Sequence, residues 1–268
     1  MMRPALRNII IILMILVVVI PLILLITWSF TLRWTYPDLM PSFEVSAWAK
    51  ALSDKKVGTA FVNSLGLSLL VVLISLILSL PAAKYIGTRN FRGKALIERL
   101  LLVPAFIPAI AIVFGMQDVF RMVGLYSTYS GLLVAQLVSY VPYMTLLLSA
   151  VFKAYDVDYE QQAASLGIGK VNSLLYVTLP AVRSGVVVSC VFSFIGSWSV
   201  YLLTFVIGDP TFKTLPVLLL PMIADGNNSY PFLAAVTLIY MAPLLLALLF
   251  FSKLLVESHL DMKAGGQS

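Results

Sequence analysis

The chain has 268 residues, 60% hydrophobic and only 11% charged, with a mean hydropathy of +0.99. Soluble domains carry about a quarter charged residues, so this apolar surplus exceeds what one core can hold, and lipid must solvate much of the surface. The formal charge of +6 does not point to nucleic acid, because the basic residues stand at the ends of apolar runs and not in a patch with interleaved aromatics.

Apolar runs near the roughly 20-residue spanning length recur six times. They lie at about Ile9–Ser29, Ala60–Ala82, Leu100–Val123, Leu132–Phe152, Gly185–Val206 and Phe232–Ser252. The first is too long for the apolar core of a secretory signal. Thr27-Trp28-Ser29-Phe30 follows it where small cleavage-site residues would stand, so a retained helix is expected. The second run carries Ser64, Ser68, Ser75 and Ser79 as a stripe, the pattern of a helix-packing face.

Prolines interrupt the third run at Pro104 and Pro108 and the fourth at Pro142. A kink for packing and a bend around a translocation path both fit such prolines. Asp118, near the outer end of the third run, is an ionisable group inside a span and so a candidate pathway residue. Arg121 stands three residues on, where an ion pair is the alternative. The fourth run offers Gln136, Tyr140 and Tyr143.

In the fifth run Ser189, Ser193, Ser197, Tyr201 and Thr204 fall on one helical face, with Trp198 beside them. Ser193, Ser197, Trp198 and Tyr201 are expected to line a pathway, with helix packing as the alternative. Cys190 lies alone in this run, and His259, near the C-terminus, is the sole histidine. A zinc cluster, a Cys/His nucleophile pair, a haem attachment and an intramolecular disulfide are all excluded within the chain. No metal, cofactor or catalytic residue is expected. Asn227-Asn228-Ser229 matches a glycosylation sequon, a short motif of little weight.

Lys and Arg counts set the expected orientation. With a cytoplasmic N-terminus, the inner segments hold Arg3, Arg7, Lys84, Arg89, Arg92, Lys94, Arg99, Lys153, Lys170, Arg183, Lys253 and Lys263. The outer segments hold only Arg33, Lys50, Lys55, Lys56, Arg121 and Lys213. The positive-inside bias therefore places both termini in the cytoplasm.

The longest inner segment runs over about 153–184. Asp156 or Asp158 is placed to cap a first helix, Glu160 suits its N-terminal dipole, and Gly167 and Gly169 stop it. A second amphipathic stretch, Val171–Leu179, presents Leu174, Leu175 and Leu179 and is expected to end at Pro180. A short helix closed by a glycine break makes a rigid knob for a cytoplasmic partner. Gly167-Ile168-Gly169-Lys170 lacks the spacing of a phosphate loop, so nucleotide is not expected to be hydrolysed here.

This segment resembles the cytoplasmic motif of ABC-importer permeases, E-A-A-x-x-x-G, nine residues, then I-x-L-P. Ala163 and Gly167 match, nine residues follow, and Val177-Thr178-Leu179-Pro180 matches the end. Gln161 and Gln162 depart from the Glu and the first Ala, and Glu160 stands one place before the missing charge. The resemblance implies an all-α, six-span permease of the bacterial inner membrane, forming one domain over 1–268. Its loop would couple to a separate ATPase through Glu160, Gln161, Ala163, Gly167, Leu179 and Pro180.

The partners implied are two cytoplasmic ATP-binding subunits, a second permease, identical or homologous, and an extracellular or periplasmic binding protein that delivers a small polar solute. Within the family the chain looks most like permeases of spermidine/putrescine importers. Those carry acids in the fifth span, whereas none occurs here from Arg183 to Gly208, so the likeness extends to the subfamily and not to a polyamine substrate. A secondary transporter would need ionisable groups at mid-membrane. A membrane enzyme would need clustered His, Asp or Cys at one interface.

Overall fold

A computed structural model describes residues 4–31, 42–225 and 229–265. Arg3, Arg33 and Asn227-Asn228 lie outside these residues, as do the side chains of Arg7, Lys253, His259 and Lys263. The described residues are helical, with one isolated β-bridge between Thr31 and Phe43.

Two compact units are formed, Met1–Val62 with Leu215–Pro243, and Asn63–Thr214 with Leu244–Ser268. In the first, α1 (Pro4–Ser29) is apolar all round, and none of its spanning window is buried. With no protein over it, such a helix is stable only with acyl chains as its solvent. α2 (Ser46–Ser53) is fixed beside its end: Trp48 donates its indole N–H to Ser29 Oγ at 3.1 Å and packs on Phe30. Lys50 lies over the Phe232 ring at 5.2 Å.

α3 (Lys55–Thr88) begins in this unit and carries its serine stripe into the second. Ser64, Ser68, Ser75 and Ser79 are all buried, and Ser79 donates to the Val141 carbonyl at 3.0 Å. The packing expectation for this stripe agrees with that placement, because small side chains let backbones approach closely.

The third expected span is not one helix. α4 (Lys94–Phe106) and α5 (Ala109–Met122) meet at an angle of 101°. Ile107, immediately before Pro108, takes an extended conformation (φ −87°, ψ 132°), as the proline ring requires of its predecessor. Pro108 then leads α5 with its φ already suited to the next helix. α6 (Tyr129–Lys153) runs unbroken through Pro142. Its N-cap, Thr128, accepts from the Gly131 N–H at 2.9 Å, a contact of about 1 kcal/mol.

α7 (Asp158–Ser165), α8 (Lys170–Ser173), a π-helical turn (Leu174–Thr178) and α9 (Leu179–Ala181) form the connecting segment. α10 (Arg183–Ser199) follows after a 79° bend. The fifth expected span also breaks, with Val200 extended and α11 (Leu202–Ile207) separate, so Tyr201 sits in the break and not on a continued face. α12 (Leu215–Ala224) and α13 (Tyr230–Gly265) complete the chain.

Among the described residues four helices are individually long and apolar enough to cross a membrane, or up to six spans if each bent pair counts as one. α3 and α13 extend well beyond the expected boundaries at 60–82 and 232–252.

Candidate functional site: the connecting knob and an apolar cleft

Asp156 Oδ1 accepts the Asp158 N–H at 2.9 Å and so starts α7, while Asp158 and Glu160 lie in its first turn. The helix ends where glycine demands it. Gly167 has φ +80°, its N–H donates to Ala164 O, and the Ile168 N–H donates to Ala163 O, each at 3.0 Å. This pair of bonds is a Schellman cap, which satisfies the last carbonyls and turns the chain sharply. Ala163 is buried beneath the knob, whereas Gln161 is exposed.

Beyond the cap, apolar side chains stand in solvent. Leu166 is 81% exposed, Val171 70% and Tyr176 76%, with Ile168 and Leu175 beside them in sequence and also exposed. Leu179 is half-buried and Pro180 exposed. Pro180 does not end the second helix, contrary to expectation. It lies within α9, whose helical form continues to Ala181, and the chain turns at Val182 (φ −104°, ψ 9°).

Glu160 is not turned out toward a partner. Its Oε2 takes Lys84 Nζ at 2.7 Å and its Oε1 accepts from Thr178 Oγ1 at 2.6 Å. Burial acts to raise this carboxyl, but the bonds from Lys84 and Thr178 outweigh it and hold the group below its ordinary value. A free charge standing in for the family glutamate is therefore not what Glu160 supplies.

The second unit also holds a cleft of about 640 Å³ between the α4–α5 elbow, α6 and α10. Tyr140, Tyr143 and Ser139 line it from α6, Phe192 and Gly196 from α10, and Pro104 from α4. None of its lining residues carries a charge.

The expected pathway residues lie elsewhere. Ser193, Ser197 and Trp198 are buried within the unit, and Ser197 donates to Gln136 Oε1 on α6. A hydroxyl in a low-dielectric interior must find an acceptor, and Gln136 supplies it to Ser197. Tyr201 stacks on Phe205. Asp118 is exposed and makes no ion pair with Arg121. The Arg121 guanidinium instead lies over the Tyr126 ring at 4.6 Å, and hydrogen bonds from Arg121 and Gln117 pull the Tyr126 hydroxyl below its ordinary value.

The exposed crest was not legible from helical periodicity, because Leu166 and Ile168 flank a turn and share no helix face. Apolar residues on both sides of a cap glycine are the signal that would find it.

The model of the family described as "Binding-protein-dependent transport system inner membrane component" matches residues 75–258. The chain belongs to that family. It is a multi-pass protein of the inner membrane and a transport permease of the binding-protein-dependent ABC type. It is 23% identical over 218 residues to the sulfoquinovosyl glycerol transport system permease protein of Agrobacterium fabrum, covering 81% of this chain and 75% of that one. It is also 23% identical over 259 residues to the spermidine/putrescine transport system permease protein of Haemophilus influenzae, covering 97% and 99%.

Among solved structures, a bacterial ABC transporter involved in import of the acidic polysaccharide alginate superposes with a TM-score of 0.76. It has 19% identity and coverage of 93% of this chain and 95% of that one, so the permease fold is shared. The relatives named for a glycerol glycoside and for polyamines match at the same identity, so the polyamine subfamily is not singled out.

Proposed function

We propose that this permease forms the translocation pathway of an ABC importer and couples it to ATP hydrolysed on a separate subunit. The six apolar segments then act as six spans of one permease domain, with α4 and α5 together as the third span, α10 and α11 as the fifth and both termini in the cytoplasm, where most basic residues fall. The segment 153–184 serves as the ATPase-coupling knob, with Gln161, Ala163, Gly167, Leu179 and Pro180 shaping it.

The observation that carries the reading is the set of exposed apolar side chains Leu166, Val171 and Tyr176, which follow one another through the capped end of α7, α8 and the π-helical turn. An exposed apolar patch on a structured knob marks a protein interface. Two cytoplasmic ATP-binding subunits, a second permease and an external binding protein complete the complex. The chain itself is non-catalytic.

The uncharged, tyrosine-lined cleft supports a small polar and neutral solute, such as a carbohydrate, over a dication, which would find no countercharge there.

Co-purification tests the central claim. The tagged chain should carry an ATP-binding subunit out of the membrane, and Val171→Asp or Tyr176→Asp should release that subunit while leaving the chain inserted. Solute uptake by the chain alone in ATP-free vesicles would overturn the proposal.

A further inference from the structure

Of the acids in α7, Glu160 is the one that is not exposed, and its two partners come from other elements of the second unit. Lys84 lies in the last turns of α3, and Thr178 closes the π-helical turn, fully buried. The carboxylate thus fastens α7 to α3 through one oxygen and to the second half of the knob through the other, at 2.7 and 2.6 Å. Charge-assisted bonds of this length are the strong, orienting kind.

The ground beneath is firm. Ala83, next to Lys84, is buried in a cluster with Met144, Leu148, Phe152 and Val182. Val182 is the residue at which the knob bends into α10. At Gly87 the two backbones come so close that a Cβ would meet the Ser149 carbonyl oxygen at 2.9 Å. α3, α6 and the bend at Val182 therefore pack as one body at this end, and Glu160 ties the knob to it.

We propose that Lys84, Glu160 and Thr178 form a strut that transmits displacement of the knob to α3, which makes Glu160 a positioning residue and not a contact of the ATPase. This rests on the reading of 153–184 as the coupling element. Without the strut, α7 is joined to the helical body by the chain at Tyr155–Val157, by the ring contact of Tyr159 with Tyr155 and by the buried face of Ala163. A push on the crest is then absorbed locally, in the loop. With the strut, the carboxylate and ammonium stay within hydrogen-bond distance of each other, so moving α7 moves the cytoplasmic end of α3. Thr178 keeps the two halves of the knob from sliding past each other during that motion. Lys84 and Glu160 are each partly exposed, 29% and 21% by side chain, so water screens the pair and its role is geometric more than stabilising.

The test uses the full complex in proteoliposomes, with its ATPase and binding protein, and reads ATPase retained, ATP hydrolysed and solute taken up per complex. Glu160→Gln and Lys84→Met should each keep the ATPase bound and hydrolysing while uptake per ATP falls. The charge-swapped double variant K84E/E160K should restore uptake, which a merely local loss of structure would not allow. Amide exchange in α7 should rise in the single variants and return in the swap.

Release of the ATPase by Glu160→Gln but not by Lys84→Met would make Glu160 a direct contact and overturn the strut. Unchanged uptake per ATP in both single variants would also overturn it. The coupling reading is judged separately, by Val171→Asp and Tyr176→Asp. If these leave the ATPase bound and uptake intact, the knob is not the coupling element, whatever the Lys84 and Glu160 variants do.

Discussion

Ser197 on α10 donates its hydroxyl to Gln136 on α6, and both side chains are buried. The amide nitrogen of Gln136 has no hydrogen-bond partner, so this one bond is what holds the glutamine's orientation. Ser197→Ala should destabilise the solubilised protein by about 1–2 kcal/mol, read as a lowered melting midpoint, since it strands a buried amide. Ser197→Trp should reduce the amount of folded protein through overpacking. Full assembly of the tryptophan variant with lost uptake would instead restore Ser197 to the pathway.

Gly167→Val places a β-branched residue at φ +80°, where an L side chain costs roughly 1–2 kcal/mol. Open space surrounds the position, so the penalty comes from the backbone alone. The variant should insert normally but lose coupled uptake, because the cap that fixes the crest is weakened. Wild-type uptake would show that the turn's geometry does not matter to coupling.

Orientation is testable in a Cys190→Ser background. Single cysteines at Lys55 and Asp225 should react with an impermeant thiol reagent on intact cells, and those at Asn90 and Asn172 should not. Reaction at Asn90 from outside would reverse the topology.

The cleft gives a fourth expectation. Ala105 lines it and is exposed, so Ala105→Trp fills it with little effect on packed neighbours. Uptake per assembled complex should fall severalfold with the ATPase still attached. Unchanged uptake would remove the cleft from the solute's route.

The fifth concerns pH. The Glu160 carboxyl is held below its ordinary value in the folded chain, so its contribution is complete above the normal carboxylate range. It is lost only as pH falls through the lowered value. Tyr155, close by, is pushed up chiefly by burial and stays neutral throughout this range. Amide exchange of residues 158–165, corrected for its intrinsic pH dependence, should rise at acid pH and be flat in Glu160→Gln. The same rise in that variant would assign the effect to another group.

Much of this architecture was readable from residues. Apolar length located the helices, and the glycine spacing located the cap at Gly167, because both follow from local chemistry. The α4–α5 elbow was half visible. Pro104 and Pro108 announced a disturbance, but a kink and a 101° turn differ only in what packs beside them. The fifth-span serines show the deeper limit. A polar stripe says that one face is not for lipid, yet Gln136 and a solute are equally good reasons for it, and they lie 61 residues and an unknown distance away in sequence terms. Lys84 counted only as one of many inner basic residues, since its pairing with Glu160 spans 76 positions.

The elbow at Ile107–Pro108 also bears on how the protein is made. A sharp turn in an apolar stretch leaves carbonyls of the final turn of α4 without helical partners, and acyl chains cannot supply any. Proline at 108 deletes an N–H group that would otherwise be stranded at the start of α5, whereas Pro104, inside α4, leaves one more carbonyl without its helical donor. The remaining carbonyls still need protein or water around them. It follows that α4 and α5 are poor cargo for one-at-a-time release from the insertion machinery into lipid. α6 and α10, which line the cleft with the elbow, supply that enclosure, so the elbow is complete only once the C-terminal half of the chain is present.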